Sequence, residues 1–412
     1  MKKKVSLPIQ ILIALVLGVI VGAICSLAGA SEFTTVYLKP FGDIFVNLLK
    51  FIVVPVVLLS MIEGILSMGN MRQVGSIGWK TVLYFTCTTA VACVIGLTLG
   101  TLFNNAGLFP ILEPAVGYDP KPFDGFMSVL VNMFPTNLWK AFFDANMLQV
   151  IVIALFFGGA ILSAGEKGQL CRDLVSSMYA VVDKLMGFII HLSPIGVFTY
   201  MAWVVATQGA EILGSLALVL LCAYIGYVVH AVLVYSTMVK LVAKISPLAF
   251  FKGAAAAMMF GFTSTSSAAT LPVSKECATK MGADPEVTSF VLPLGATINM
   301  DGTAIYQCVT AIFLATCVGM NLSLSQMVTI VITATLASVG TAGTPGSGLI
   351  MLTMVLSALD IPVTYIGIIL AVDRLFDMGR TCMNITGDIS CTLCVTHWQH
   401  KLMEKRNKKL AN

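Results

Sequence analysis

Long apolar stretches recur along almost the whole chain, and residues 11–27 form the first of them. In lipid such a stretch must satisfy its backbone polar groups internally, which only α-helices and closed β-barrels achieve. The stretches do not alternate with a period of two residues, so they predict helices and exclude a barrel. Hydrophobic residues make up 58% of the chain and charged residues 11%, against about 25% charged in soluble domains. We therefore expect an all-α polytopic membrane protein.

Eight transmembrane helices are predicted. Seven lie at about residues 8–29, 38–68, 79–103, 138–164, 176–206, 211–241 and 286–318, and the eighth is expected to continue Ile361–Ala371 through Asp388 as one helix. Residues 104–135 are less apolar, rich in Pro and Gly, and are predicted as the main external loop. The N-terminal lysines before the first stretch resemble a signal peptide. That stretch is too long and lacks a clear cleavage site, so it is predicted to be a retained helix.

Two further apolar segments, Phe250–Ala278 and Val328–Leu359, are interrupted by small and hydroxyl-bearing residues at Gly261–Pro272 and Gly340–Gly348. Glycine, proline and serine break a helix and free backbone groups that lipid cannot satisfy. Each segment is therefore predicted as a re-entrant helical hairpin with its tip buried in protein. Two interrupted segments, each followed by a span with a polar face, also predict inverted repeats with a site at the membrane midplane.

This topology gathers most basic residues on one side of the membrane, and counting either hairpin as a single crossing would spoil that bias. By the positive-inside rule this side is the cytoplasm, which also receives both termini. These residues are Lys2–Lys4, Arg72, Lys80, Lys167, Arg172, Lys240, Lys244, Lys252, Lys275, Lys280 and Lys401–Lys409. The last group is a basic tail, predicted to touch anionic lipid. The net charge of +4 does not indicate a nucleic-acid partner.

Near the C-terminus, several polar residues fall at helical spacing on one face. They are Asp373, Asp377, Arg380, Thr381, Asn384 and Asp388. A charge at bilayer depth costs from about 2.5 kcal/mol upward, so such residues normally face a protein interior or an aqueous path and carry function. The alternative is a buried ion-pair network that only holds helices together. Because the acidic groups outnumber Arg380 on this face, we interpret the excess negative charge as a place for cations.

The seventh span contains a second polar group, Gly295–Thr303, which includes Asn299 and Asp301. Glycine and asparagine are poor helix formers, so a local unwinding is predicted here. Unwinding would direct carbonyl oxygens at a small hard cation such as sodium, with side-chain oxygens from Asn299 and Asp301. Thr88 and Thr89 in the third span offer further hydroxyls. A threonine in a membrane helix usually bonds back to its own carbonyls, and that interpretation is favoured for both.

The hairpin tips point helix ends, with their free N–H groups, toward the same region. Ser266 and Ser267 at the first tip and Gly343–Gly346 at the second are candidates to hold a carboxylate, although small residues also permit tight packing. Arg380 is the natural bidentate partner of a second carboxylate, and Asp377 is the partner of an ammonium group. Together these residues predict a ligand with two acids and one amine.

Other functions find little support in the sequence. No nucleophile–base set, zinc spacing or phosphate loop occurs, so neither an enzyme nor a cofactor is expected. The 11 cysteines are scattered and are interpreted as free thiols. The single polar residues Glu63, Lys184, His191 and His230 are interpreted as snorkelling or hydrogen-bonded groups. A channel would need a pore lined by several spans, whereas the polar groups concentrate in the last third of the chain.

Over nearly its full length the chain resembles the glutamate transporter family, the sodium- or proton-coupled symporters of dicarboxylates and acidic amino acids. Four motifs in order carry the resemblance: Ser264–Pro272, Asn299–Thr303, Gly340–Gly348 and Asp373–Asp388. The resemblance implies a homotrimer in the cell inner membrane that works as an elevator. Residues 1–78 and 104–206 would form a scaffold, and residues 79–103 and 207–393 a mobile transport domain. Residues 394–412 would be the cytoplasmic tail, and the second hairpin the extracellular gate.

The resemblance also implies binding residues. The acidic amino acid would be bound by Ser266, Ser267, Thr303, Gly343, Thr344, Gly348, Asp377, Arg380, Thr381 and Asn384. Sodium ions, the co-transported ligands, would be bound by Thr88, Thr89, Gly295, Thr297, Asn299, Asp301, Ser338, Val339, Thr341, Asn384 and Asp388.

Some positions depart from the family pattern. Many members carry an additional arginine before the hairpin serines or beside Asp377, where this chain has Thr265 and Met378; either Arg374 substitutes for it or nothing does. Ala268 stands where many members have another serine. The chain keeps both Arg380 and Asp377, which favours L-aspartate or L-glutamate. Coupling to sodium is expected, and the alternative is a proton-coupled symporter of glutamate, aspartate or a C4-dicarboxylate.

Overall fold

The computed structural model describes residues 7–69, 76–111, 131, 134–144, 146–209, 211–338, 346–370 and 372–411, and in these ranges it is helical with no β-strand. Judged by length and composition, four helices in this part of the chain can cross a membrane: Ile9–Leu27, Ile77–Asn105, Gly165–His191 and Ile212–Ala243. The structure therefore agrees with a helical membrane protein. The count of eight spans remains a prediction.

The first half of the chain forms helices α1 to α8. Their bounds are α1 Leu7–Leu27, α2 Lys39–Gly69, α3 Ser76–Asn105, α4 Leu138–Phe143, α5 Met147–Ser163, α6 Gln169–His191, α7 Ser193–Gln208 and α8 Glu211–His230. A short helix, Ser31–Phe33, and a π turn, Thr34–Leu38, lead into α2. Helix α8 continues through two further π turns, Ala231–Tyr235 and Val239–Ala243.

The second half forms helices α9 to α16. Their bounds are α9 Pro247–Ser264, α10 Ser267–Lys280, α11 Pro285–Ile298, α12 Asp301–Cys317, α13 Leu324–Ser338, α14 Ser347–Ala358, α15 Ile366–Leu370 and α16 Asp373–Ala411. The segment predicted as a tail after residue 393 is thus a continuation of α16 as far as Ala411.

Three predicted spans are divided in the structure. The span at 138–164 consists of α4 and α5, each starting behind an asparagine cap. The span at 176–206 is divided at Leu192, because Pro194 occupies the first turn of α7, where its missing N–H is tolerated. The single helix predicted from Ile361 through Asp388 is wrong: α15 ends at Leu370 and α16 begins at Asp373. This break puts the Asp373 carboxylate in a first helical turn, where the helix dipole stabilises it. Most of the predicted external loop lies outside the described residues.

The helices pack in two groups. In the first, α1 lies along α7, and α2 packs against α5, α6 and α7. In the second, α3, α8 and α12 pack together, and α16 contacts α9, α10, α11 and α12. The groups meet where α14 contacts α2 and α5 and where α15 contacts α7 and α2. Smaller contacts join α11 to α2, α13 to α5 and α8 to α7. The α16 face that the sequence singled out therefore lies inside the second group.

Both interrupted segments form pairs of packed helices, as predicted. In the first hairpin, α9 and α10 are joined at Thr265, whose φ of 54° is in the left-handed region, and at Ser266, which caps α10. In the second, α13 packs against α14. Its link, residues 339–345, lies outside the described residues and includes the predicted ligands Val339, Thr341, Gly343 and Thr344. That each hairpin enters and leaves the membrane on the same side stays a prediction.

Candidate functional site

The polar residues predicted to share one face of the last helix are all buried. They are Asp377, Arg380, Thr381, Asn384 and Asp388, with Asp373 one turn earlier. Arg380 is only 1% exposed and is among the largest fully buried side chains. Burial of this many polar groups is stable only if they bond to one another. The neighbours that bond to them define the site.

Arg380 lies between two carboxylates. Its Nη2 is 2.9 Å from Asp377 Oδ1, and its Nη1 is 3.3 Å from Asp373 Oδ1. The guanidinium carbon is 4.2 Å from the centroid of the Tyr306 ring, and the Tyr306 hydroxyl donates to Asp373 Oδ1 over 2.9 Å. Arg374 contacts Asp377 Oδ2 over 3.5 Å. We call Asp373, Arg374, Asp377 and Arg380 the charge cluster, and its formal charges sum to zero. Asp388 lies outside the cluster, so the excess negative charge expected on this face stays a prediction.

The second hairpin covers this cluster. The backbone N–H of Gly346 donates to Asp377 Oδ2 over 3.2 Å. A Cβ at Gly348 would collide with Arg380 Nη1, so α14 starts directly against the guanidinium, and any larger residue would require Arg380 to shift. Apart from its ion-pair contact with Asp373 at 3.3 Å, Arg380 Nη1 has no hydrogen-bond partner in the described part of the chain. One donor of the buried arginine is therefore left for a ligand.

The predicted interruption between α11 and α12 is present. Asn299 has extended backbone angles, φ −86° and ψ 101°, and ends α11. Its Nδ2 donates to the Asn384 carbonyl over 2.7 Å and to Asp388 Oδ1 over 2.9 Å. Its Oδ1 is buried, and among the described residues it has no hydrogen-bond partner. A Cβ at Gly295 would collide with Asp388 Oδ1, so Gly295 lies directly against that carboxylate. An unpaired buried oxygen beside a carboxylate is suited to a hard cation.

Asn384 connects the charge cluster to this region. Its Oδ1 accepts from the N–H of Gly302 over 2.8 Å, at the start of α12. Its Nδ2 is 3.1 Å from Met300 Sδ and 3.4 Å from Thr303 Oγ1. Asn384 thus contacts the interrupted segment twice. Its side chain bonds Gly302, and its backbone carbonyl accepts from Asn299.

Asp301 is surrounded by four hydrogen-bonding groups, which we call the Asp301 cluster. Thr89 and Thr88 lie 2.7 and 3.3 Å from its Oδ1, and Tyr235 and His230 lie 2.8 and 3.1 Å from its Oδ2. The interpretation that both threonines only bond back to their own helix is wrong. Thr88 also bonds the Phe85 carbonyl over 3.2 Å, but both hydroxyls point at Asp301, which lies more than 200 residues away in the chain.

His230 and Tyr235 were missed by the sequence interpretation, which treated His230 as an isolated polar group. Both side chains are fully buried, and their rings meet edge-on with centroids 4.8 Å apart. The π turn Ala231–Tyr235 brings positions five residues apart onto one side of α8. A helical pattern with a period of 3.6 places these two residues on different faces, so periodicity alone does not find the pair.

The remaining predicted ligands are less directly engaged. Ser266 accepts from the N–H of Ala269 as the cap of α10; Ser267 and Thr381 are buried. The hydroxyls of Thr297 and Ser338 donate to carbonyls of their own helices over 2.9 and 2.7 Å, so their hydrogens are already used, and the hydroxyl oxygens retain lone pairs. Across the described ranges, no group of three or more His, Cys, Asp or Glu has the arrangement of a metal site. A cation here would rely on carbonyl, amide and hydroxyl oxygens besides single carboxylates.

Comparison with known proteins gives one consistent result. The sequence profile of the sodium:dicarboxylate symporter family matches residues 7–398. The chain is 30% identical to the proton/sodium-glutamate symport protein of Geobacillus stearothermophilus, over 99% of this chain and 98% of that protein. It is 31% identical to the proton/glutamate-aspartate symporter of Escherichia coli (strain K12), over 98% and 95%. It is 32% identical to the C4-dicarboxylate transport protein of Edwardsiella ictaluri (strain 93-146), over 98% and 96%.

Proposed function

The chain belongs to the sodium:dicarboxylate symporter family, and we propose that it imports L-aspartate or L-glutamate together with sodium. Members of this family are membrane symporters and not enzymes. The relatives divide between acidic amino acids and C4-dicarboxylates, so the choice of substrate depends on this chain's own site.

The observation that carries the substrate proposal is the pair Arg380 and Asp377, buried one turn apart under the second hairpin. Arg380 Nη1 retains a donor for a ligand carboxylate. Asp377 provides a negative partner for the ammonium group of an amino acid. A C4-dicarboxylate without an amine has no group that needs this partner. A substrate with both groups matches both residues. The remaining polar atoms of the substrate would be bound by Ser267, Thr303, Thr381, Asn384 and the glycines at the second tip.

Sodium is proposed to bind at two places that the geometry supports. One is the unpaired Asn299 Oδ1 with Asp388, Gly295 and the Asn384 carbonyl. The other is Asp301 with the hydroxyls of Thr88 and Thr89. Both offer oxygen atoms only, which suits a hard cation. A third is proposed at carbonyls around Thr297 and Ser338 with Val339 and Thr341.

Proton coupling is the second candidate, because the Escherichia coli relative is named a proton symporter. In that case a proton would bind to one of the two buried carboxylates, Asp301 or Asp388, in place of a sodium ion.

We further propose that the two groups of helices are a scaffold and a mobile transport domain, with the boundaries expected from the sequence. Three such chains would form a homotrimer in the inner membrane, with both termini in the cytoplasm and eight spans beside the two hairpins. Motion of one group against the other would carry the site across the membrane as an elevator. The contacts between the groups, at α8, α11, α13, α14 and α15, are smaller than the main contacts inside each group, which supports a sliding interface.

The experiment that tests the function follows labelled L-aspartate into liposomes containing the purified protein. An inward sodium gradient without a proton gradient should drive uptake, and replacing external sodium with choline should abolish it. Uptake that ignores sodium but follows an inward proton gradient would reject sodium coupling and support the second candidate. Absence of aspartate uptake under either gradient would reject the proposed substrate, and succinate uptake would then identify a C4-dicarboxylate carrier.

A further inference from the structure

Arg374 is a buried arginine with few partners among the residues that the structure describes. It is the second residue of α16 and is only 8% exposed. Its one ion pair among the described residues, to Asp377 Oδ2, is long at 3.5 Å, whereas strong charge-assisted bonds measure about 2.7–2.9 Å. Its Nε is buried with no hydrogen-bond partner in the described ranges. A guanidinium has five N–H donors, and leaving them unmet away from water is costly. With respect to the described part of the chain, Arg374 therefore has donors left for a ligand.

The two arginines of the charge cluster hold opposite oxygens of one carboxylate. Arg380 is bound to Asp377 Oδ1 at 2.9 Å and is also fixed by Asp373 and the Tyr306 ring. Arg374 contacts Asp377 Oδ2 loosely and shares that oxygen with the Gly346 N–H. Of the two guanidinium groups, Arg374 is thus the one that can be displaced from Asp377 at low cost.

We propose that the Arg374–Asp377 pair binds the zwitterionic end of an α-amino acid: Arg374 binds the α-carboxylate, and Asp377 Oδ2 accepts the ammonium group. This inference rests on the proposed function, in which Arg380 binds the side-chain carboxylate. The ammonium and the α-carboxylate are attached to the same carbon, so they arrive together. Each takes the place of one member of a loose ion pair, and the exchange leaves no buried charge without a partner. Arg374 is thereby a residue that selects α-amino acids over dicarboxylates without an amine.

The test compares L-aspartate with its α-amide, which keeps the ammonium and the side-chain acid but lacks the α-carboxylate. Arg374→Gln should raise the KM for L-aspartate uptake about tenfold or more, because it removes a charged hydrogen-bond donor to the ligand. The same substitution should change the inhibition constant of the α-amide by less than about twofold, since that ligand has no group for Arg374. Arg374→Lys keeps the charge without the planar donor pair and should give an intermediate KM. Arg172→Gln, which removes an arginine of α6, is the control and should leave both constants unchanged.

Each alternative gives a different result. If Arg374 only positions Asp377, the α-amide will lose as much affinity as L-aspartate, which would overturn the inference. An L-aspartate KM unchanged in both Arg374 variants would also overturn it. Should Arg374→Gln fail to fold, as judged by gel filtration in detergent, the comparison of the two ligands on Arg374→Lys decides in the same way. A wild-type protein that does not take up L-aspartate under either gradient refutes the proposed function instead, so the two failures are distinct.

Discussion

Gly295→Ala tests whether the space beside Asp388 is a cation site. The added Cβ would lie 2.7 Å from Asp388 Cγ and 3.0 Å from Phe85 Cζ, and it would overlap Asp388 Oδ1. Carbon atoms in contact normally stand about 3.5–4.0 Å apart. Phe85 is itself buried, so the Asp388 carboxylate must move, and it would move away from the amide of Asn299 that now holds it at 2.9 Å.

The size of the effect follows from this overlap. Adding a methyl group to a well-packed interior typically costs about 1–3 kcal/mol, and a cation that depends on the displaced carboxylate should lose a comparable part of its binding free energy. We therefore expect the sodium concentration for half-maximal L-aspartate uptake to rise roughly tenfold to a hundredfold. The maximal rate at saturating sodium should change much less, because the charge cluster is not touched.

The assay is the initial rate of labelled L-aspartate uptake into proteoliposomes at a series of external sodium concentrations. Gly214→Ala is the matched control: it is also a helical glycine, and its Cβ would meet nothing within 4 Å. That variant should keep the wild-type sodium dependence. A half-maximal sodium concentration for Gly295→Ala within about twofold of wild type, in protein of normal thermal stability, would refute a cation site at Asp388.

Two further substitutions examine other parts of the site. Tyr235→Phe removes the donor that lies 2.8 Å from Asp301 Oδ2; a hydrogen bond to a charged group is worth about 1.5–3 kcal/mol, so the half-maximal sodium concentration should rise about tenfold. Tyr227→Phe is its control, since the buried Tyr227 hydroxyl has no partner among the described residues, and equal sodium dependence in the two variants would contradict the role of Tyr235. Arg380→Cys should abolish uptake of acidic substrates and leave room for a neutral amino acid, and an unchanged L-aspartate affinity in binding measurements would reject the role of Arg380.

Sequence patterns predicted those parts of the site that lie within one element. The buried face of α16 followed from helical spacing, and the interruption at Asn299 followed from the poor helix propensity of its neighbours. The break before Asp373 was missed, because no glycine or proline lies between Ile368 and Asp373, and Gly367 lies inside α15. The two successful predictions depended only on neighbours in the sequence, within the same helix or the next turn.

The Asp301 cluster was not predictable in this way. All four partners precede Asp301 in the chain: His230 and Tyr235 by 71 and 66 residues, and the two threonines by more than 200. Their convergence depends on how α3, α8 and α12 pack, and on a π turn that changes the phase of α8. The role of Arg374 was left open for a similar reason, because its burial depends on the charge cluster and on the second hairpin above it.

The connection between the ligand and cation regions runs through α16 and the interrupted segment between α11 and α12. A cation at Asn299 Oδ1 would fix the amide whose Nδ2 holds both Asp388 and the Asn384 carbonyl. Asn384 in turn holds the N–H of Gly302, and a Cβ at Gly302 would lie 2.5 Å from the Arg380 carbonyl. A cation that orders Asn299 therefore also restrains the backbone beneath Arg380. When one ligand has already ordered the site, a second ligand loses less entropy on binding. These contacts would therefore give the proposed ligands, sodium and an acidic amino acid, a physical reason to bind cooperatively.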